Sequence, residues 1–272
     1  MSNIRLYGVT VVYNEQDLVP IVMPYIEKMN YDKLVIWDNG STDNTVELLE
    51  KYPFIEIRHF ETPEFVEDEK LKRIVDTIDE FRREKVTDPN EQIWMTMCDF
   101  DEVFQYNTTK DAFFSFKEYL WWMGNNGYMV CREHIWNLVE DGTRVQYGTP
   151  FYWNKPNLFR LDGISSFSVV WGQHDMNVTY QDEKPAKIFY DTKMISAFHL
   201  KFYNLKGYLK RQRLRSERGF IVYNDGKVIP YIDDVNSNID VYNEIVRLSI
   251  PYEEYFTNKI LNGREYVGEF LV

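Results

Sequence analysis

Through the first hundred residues, short apolar runs alternate with helical patterns, and that alternation confines the chain to a small set of folds. The runs are Leu6 to Val12, Lys33 to Trp37, Phe54 to Ile57 and Ile93 to Cys98. Between the first two, Leu18, Val22, Tyr25, Ile26 and Met29 recur at the spacing of one helix face. Strands separated by helices in this way are βαβ units, which build a mostly parallel sheet. Pro24 interrupts the first helical pattern and removes a backbone donor, so a kink or an early break is expected there. Ser41, Thr42 and Asp43 supply N-cap chemistry for a second helix carrying Val46, Leu49 and Tyr52. A third helix covers about residues 67 to 85, with Leu71, Ile74, Val75, Ile78 and Phe81 facing inward.

From Tyr128 the pattern turns strand-rich: YMVCREHIW, then Arg144 to Trp153, Asn157 to Leu161 and Ser166 to Trp171. These read as antiparallel and mixed strands added to the parallel half. After His199 the chain becomes basic and helical from Tyr203 to Arg218, then acidic and Asn-rich from Asp233 to Asp240. Pro251 opens a last short helix, because its fixed φ suits a first turn. No internal repeat or low-complexity linker divides the chain. The expectation is one α/β domain over residues 1–205, with halves at about 1–105 and 106–205, and a helical extension over 206–272 packed on it.

Composition narrows the function. The 272 residues carry 31 basic and 43 acidic side chains, a net charge of −12, which argues against general nucleic-acid binding. With 20 Tyr, 18 Phe and 7 Trp, the chain has too many aromatics to stay disordered. Its longest uncharged stretch, Tyr119 to Cys131, is too short to span about 30 Å of hydrocarbon. The opening MSNIRLYGVTVVYN lacks a basic region followed by a small-residue cleavage site, so it reads as a strand, and a cytoplasmic location is expected. Cys98 and Cys131 fit reduced thiols in such a compartment.

In a parallel α/β sheet, ligands bind beyond the carboxyl ends of the strands. The residues there are Asn14 and Glu15 after the first run, Asp38, Asn39 and Gly40 after the second, and Asp99, Phe100, Asp101 and Glu102 after the fourth. In an extended segment Asp99 and Asp101 project the same way, and two such carboxylates repel unless a proton or a hard cation intervenes. A solvated acidic turn is the plain alternative. From Lys201 to Arg218, seven basic residues stand against Glu217 alone. Lys206 and Lys210 share a helix face there, which suits either a solvated surface or a phosphate-bearing ligand.

Taken together, VTVVYNEQDLVPIVMPYI, KLVIWDNGSTDNTVELLEKY, MTMCDFDEVF and SAFHLKFYNLKGYLKRQRLR resemble, in order and spacing, a GT-A-fold glycosyltransferase of the family 2 type. The resemblance covers about residues 4–52, 93–104 and 195–215. It implies a Rossmann-like, mixed but mostly parallel sheet flanked by helices, and sugar transfer from a nucleotide sugar; the lack of a QxxRW-like motif and of membrane helices, which polymerising members usually carry, argues for a single sugar. A UDP-sugar is the donor that family frequency favours. The acceptor is a hydroxyl on a glycan, lipid-linked sugar, protein or other compound. Carried over by position, Asp38 holds the nucleoside, with Val12, Tyr13, Asn14, Glu15, Asn39 and Gly40 alongside. Asp101 ligates Mn²⁺ or Mg²⁺, Asp99 contacts ribose or the metal's water shell, with Phe100 between them, and His199 is a further ligand or phosphate contact. Lys206 and Lys210 face the diphosphate.

An inverting transferase also needs a base for the acceptor hydroxyl. Asp175, beside His174, stands roughly where the family keeps an acidic base, and Glu133 in CREHIW is its competitor. Where the family often carries a helix with Asn and Arg near the donor, this chain has LKRIVDTIDEFRR, whose candidate contacts are Lys72 and Arg73. The stretch KPNLFR, from Lys155 to Arg160, also resembles a recurring family segment, with no role assigned to it. Two other classes compete. A sugar-1-phosphate nucleotidylyltransferase normally needs a Gly-rich basic loop after the first strand, and here that turn is Tyr-Asn-Glu-Gln. A non-catalytic carbohydrate-binding protein could use Trp121, Trp122, Trp136, Trp153 and Trp171 to stack sugar rings.

Overall fold

The computed structural model describes residues 3–62, 67–84, 88, 90–107, 115–146, 153–169, 176–181, 186–190, 194–219, 221–224, 227–230 and 233–257. The parallel half follows the order the apolar runs predict. It comprises β1 (Ile4–Val12), α1 (Val19–Met29), β2 (Lys33–Asp38), α2 (Thr45–Leu49), β3 (Ile55–His59), α3 (Glu67–Arg82) and β4 (Gln92–Met97). β1 lies between β2 and β4, parallel to both, and β3 flanks β2. The antiparallel half follows with β5 (Glu102–Tyr106), α4 (Phe116–Asn125), β6 (Val130–Val139), β7 (Arg144–Gln146) and β8 (Trp153–Arg160). β8 joins the halves, pairing antiparallel with both β4 and β6. A hairpin of β9 (Ile164–Val169) and β10 (Met176–Tyr180) stands off the main sheet, while β11 (Ile188–Tyr190) and β12 (Ile195–His199) run parallel to β6.

The last section comprises α5 (Leu205–Glu217), β13 (Ile221–Asn224), β14 (Lys227–Pro230), α6 (Val235–Arg247), β15 (Ser249–Pro251) and α7 (Tyr252–Phe256). It is helical, as its composition suggests, but it also carries the β13–β14 hairpin, and β15 adds an edge strand beside β7. The Asn-rich stretch becomes α6 because Asp234 caps it, accepting hydrogen bonds from the backbone N–H of Asn236 and Ser237. Among the described residues, no helix is long and apolar enough to cross a membrane.

Local chemistry explains where elements stop. α1 runs unbroken through Pro24 to Met29, so the expected early break does not occur. The missing donor at Pro24 is offset by burial of Val19, Val22, Met23 and Met29 against the sheet. The helix ends at Asn30, whose left-handed backbone (φ 58°) turns the chain into β2. α2 is shorter than its apolar pattern suggests and stops before Tyr52. Its start is held by Asp43, whose Oδ1 accepts from the Thr45 backbone at 3.0 Å.

Gly8 sits where the sheet is tightest. A Cβ there would lie 2.7 Å from Leu34 Cδ1, 2.8 Å from Thr96 Oγ1 and 2.9 Å from Tyr31. Tyr31 and Thr96 hydrogen bond to each other at 2.8 Å, so neither yields freely. Gly8→Ala is therefore expected to cost about 1–3 kcal/mol of stability. Urea denaturation checks this, and an unchanged midpoint would contradict the packing described.

Candidate functional site

The strand ends of β1 and β2 are fastened to each other by the very residues of the NE and DNGSTD segments. Asn14 adopts φ 54°, donates its backbone N–H to Ser41 Oγ at 2.9 Å, and accepts the Thr42 backbone N–H on Oδ1 at 2.7 Å. The Glu15 N–H donates to Thr45 Oγ1 at 2.7 Å, and the Asn39 N–H to the Val12 carbonyl at 2.9 Å. Asp38 is buried and accepts from the Ser41 N–H at 3.2 Å, with His59 Nδ1 at 3.4 Å from its other oxygen. Asn39 Oδ1 accepts from the Thr62 N–H at 3.1 Å, and Gly40 has φ 73° with Glu61 close against it. These residues shape a rigid double turn, and much of their polar capacity is already used within it.

The loop between β4 and β5 crowds three carboxylates into four residues, and each meets a different partner. Asp99 Oδ1 accepts from Lys70 Nζ at 2.6 Å, and Lys155 Nζ lies 3.7 Å from its other oxygen. Glu102 is paired with Lys155, and both side chains are only 3% exposed. Asp101 Oδ2 lies 3.1 Å from His199 Nε2, and the Asp101 carbonyl accepts from the Leu200 N–H at 2.7 Å. Burial alone would raise the pKa of Asp101, but His199, Arg211 and Arg215 override it and hold the carboxyl well below the usual range. Burial likewise works against charge on Asp99, and the two lysines reverse it. Glu102 remains raised despite Lys155, because its burial is the larger influence.

Phe100, between the two aspartates, is 4% exposed and packs with Val12, Leu18 and Trp136, so its side chain belongs to the core and takes no part in the crevice. Lys206 and Lys210 lie on α5, beside a cleft whose lining does not include Asp38, Asp99, Asp101 or His199. With Asn14, Glu15, Asp17, Asn204, Tyr203 and Arg211 they line this open cleft of about 680 Å³ between the start of α1 and α5. Lys210 Nζ pairs with Asp17 at 2.7 Å. Arg211 donates through Nη2 to the carbonyls of Leu200 and Lys201, and its Nε is buried with no hydrogen-bond partner among the described residues. Tyr13 is covered by the Arg218 guanidinium, 3.9 Å from its ring, and Arg218 also donates to the Thr62 carbonyl at 2.6 Å.

Lys70, Lys155, Arg211 and Arg218 were missed by sequence reasoning. Only the general basicity of the late helix hinted at two of them. Of the two α3 candidates, Arg73 instead lies over the Trp37 and Phe60 rings, and Lys72 is exposed. Asp175, with His174, lies outside the described residues. So does the Glu133 side chain, whose backbone faces Lys155 across β6 and β8.

A divalent cation fits this donor set only in part. Among the described residues, no group of three or more His, Cys, Asp and Glu is close enough to hold one. Asp101 and His199 supply one oxygen and one nitrogen donor, a mixture that suits Mn²⁺. Asp99 does not fit as a ligand while Lys70 and Lys155 occupy it.

Two groups, the partly buried Glu15 and the buried Lys155, make the site sensitive to charge. Desolvation pushes Glu15 up to about 8, with Arg211 opposing and Asp101 reinforcing the shift. A carboxyl raised above its unfolded value stabilises fully at low pH, and that contribution is lost as pH rises towards about 8. Glu15→Gln is therefore expected to melt like the wild type near pH 5 and above it near pH 9. A constant difference across that range would remove Glu15 as the cause. Lys155→Met should cost about 3–5 kcal/mol by leaving Glu102 buried and unpaired, which chemical denaturation measures directly.

No family model matches the sequence, and no curated protein matches it. Among solved structures, TarS of S. aureus is similar at 11% identity and TM-score 0.46, over 94% of this chain and 43% of that one. The chain thus spans less than half the length of TarS. A mycobacterial protein follows at 14% identity and TM-score 0.29, over 49% of this chain and 41% of that one. A 4-diphosphocytidyl-2C-methyl-D-erythritol synthase from Anaerococcus prevotii matches at 12% identity and TM-score 0.26, covering 89% and 83%.

Proposed function

We propose that the crevice at the strand ends binds a nucleotide sugar, with UDP as the favoured nucleotide, and transfers the sugar to an acceptor hydroxyl with inversion. The observation that carries this reading is the Asp101–His199 pair, 3.1 Å apart, at the head of a parallel sheet whose neighbouring strand ends present Asp38 and the Asn14 turn. Position and chemistry together support it, because a nucleoside diphosphate departs readily only when its developing charge is neutralised.

In this reading the double turn around Asp38 holds the nucleoside. Lys206, Lys210 and Arg211, on one side of the open cleft, attract the diphosphate. Asp101 and His199 hold Mn²⁺ or Mg²⁺, which supplies Lewis-acid stabilisation to the leaving group when bound. The acceptor oxygen forms its bond to the anomeric carbon as the bond to the diphosphate oxygen breaks, the electron pair leaving with the nucleoside diphosphate. The hydroxyl proton passes to a carboxylate, for which Asp175 and Glu133 are the candidates.

Hydrolysis or transfer from UDP-sugars is the direct assay. Activity should require Mn²⁺ or Mg²⁺, disappear in EDTA, and fall at least about 100-fold in Asp101→Ala. Undiminished activity in Asp101→Ala would sink the metal assignment. A thermal-shift screen with UDP, GDP, CMP and TDP in Mn²⁺ identifies the base, since a ligand at 100 times its Kd stabilises by about 2.7 kcal/mol.

A further inference from the structure

Both oxygens of Asp99 already face an ammonium group. Lys70 Nζ lies 2.6 Å from one and Lys155 Nζ 3.7 Å from the other, and Lys155 is shared with the buried Glu102. Lys70 also lies 4.0 Å from Glu67, and a cation arriving at Asp99 would have to displace ammonium groups already seated at both of its oxygens. Asp101 faces His199 instead of an ammonium, and an imidazole can serve as a nitrogen ligand. His199 acts most strongly on Asp101, followed by Arg211 and Arg215 on α5, and Asp101 in turn acts on Lys201. Among the described residues, Asp101 and His199 give a divalent cation only two protein donors, so its remaining oxygens must come from a bound ligand.

We propose that Lys70 is the resident counter-ion of Asp99 and sets a binding order, in which a diphosphate-bearing ligand enters first and the divalent cation is retained only afterwards, by Asp101, His199 and the ligand's phosphate oxygens. The identity of the ligand rests on the nucleotide-sugar reading; the action of Lys70 on cation binding does not. Lys70 is a positioning residue: it fixes the Asp99 carboxylate and denies it to the metal.

The test uses the full chain, stripped with EDTA, and counts free Mn²⁺ by electron paramagnetic resonance. With Mn²⁺ alone the wild type should leave the free-ion signal unchanged. Lys70→Met should retain Mn²⁺ at least about tenfold more tightly, and Lys70→Arg, which keeps the charge, should behave as the wild type. A thermal melt of each variant establishes that it is folded. With UDP as the probe, calorimetry in EDTA should show binding without metal, and added Mn²⁺ should then be retained beyond a UDP-only control. That retention should survive Asp99→Asn and vanish in Asp101→Asn. The proposal is overturned if the wild type retains Mn²⁺ alone as tightly as Lys70→Met, or if Asp99→Asn and Asp101→Asn lose it equally. If no nucleoside diphosphate binds with or without Mn²⁺, the nucleotide-sugar reading and the binding order fall together. The Mn²⁺ titrations of the wild type and the Lys70 variants still decide whether Lys70 excludes the cation.

Discussion

Three carboxylates within four residues can share one turn only if each is given its own partner, and the fold is arranged so that three distant parts of the chain supply them. Lys70 comes from α3, Lys155 from β8 and His199 from the end of β12. Lys155 has the widest reach, because β8 is the strand that joins the parallel half to the antiparallel half. Its ammonium is placed against the acidic loop by the same backbone pairing that makes the sheet continuous. An ion pair this buried adds little net stability over an apolar pair of similar shape. What it does is fix the direction of Asp99 and Glu102, and so leave Asp101 as the carboxylate with a neutralisable partner.

The division of labour among the polar residues of the crevice is sharper than their clustering suggests. Asn14, Ser41, Thr42, Asp43 and Thr45 hold two turns together, and their hydrogen bonds run across the loops. Asp101, His199, Lys206 and Arg211 stand elsewhere, on the β4–β5 loop, at the end of β12 and on α5. A polar motif at a strand end is thus partly scaffold, and its residue types are demanded by the backbone donors they must satisfy.

The four parallel strands were legible because their apolar runs are separated by helical spacing. The pairing of Asp101 with His199 was foreshadowed by the resemblance, although no spacing in the chain implies it. Lys70 was not legible. A helix face is fixed by the phase at which the helix meets the sheet, and a difference of two positions, from Lys72 to Lys70, turns a side chain by more than half a revolution. Lys155 was hidden for another reason: the expected strand began only at Asn157, and which residue reaches the acidic loop depends on register with β4 and β6, where neighbouring residues point to opposite faces. Pro24 misled because local propensity predicts a break, whereas burial of the helix face keeps the helix whole.

α5 is anchored at both extremities. At its start the Asn204 side chain caps the helix through the Gly207 N–H and also donates to Asp141 at 3.0 Å. At its end Arg218 reaches the Thr62 carbonyl and the Tyr13 ring. Held at both ends in this way, the helix backbone beneath Lys206 and Lys210 is already ordered, so that a ligand at this cleft would spend little on ordering it.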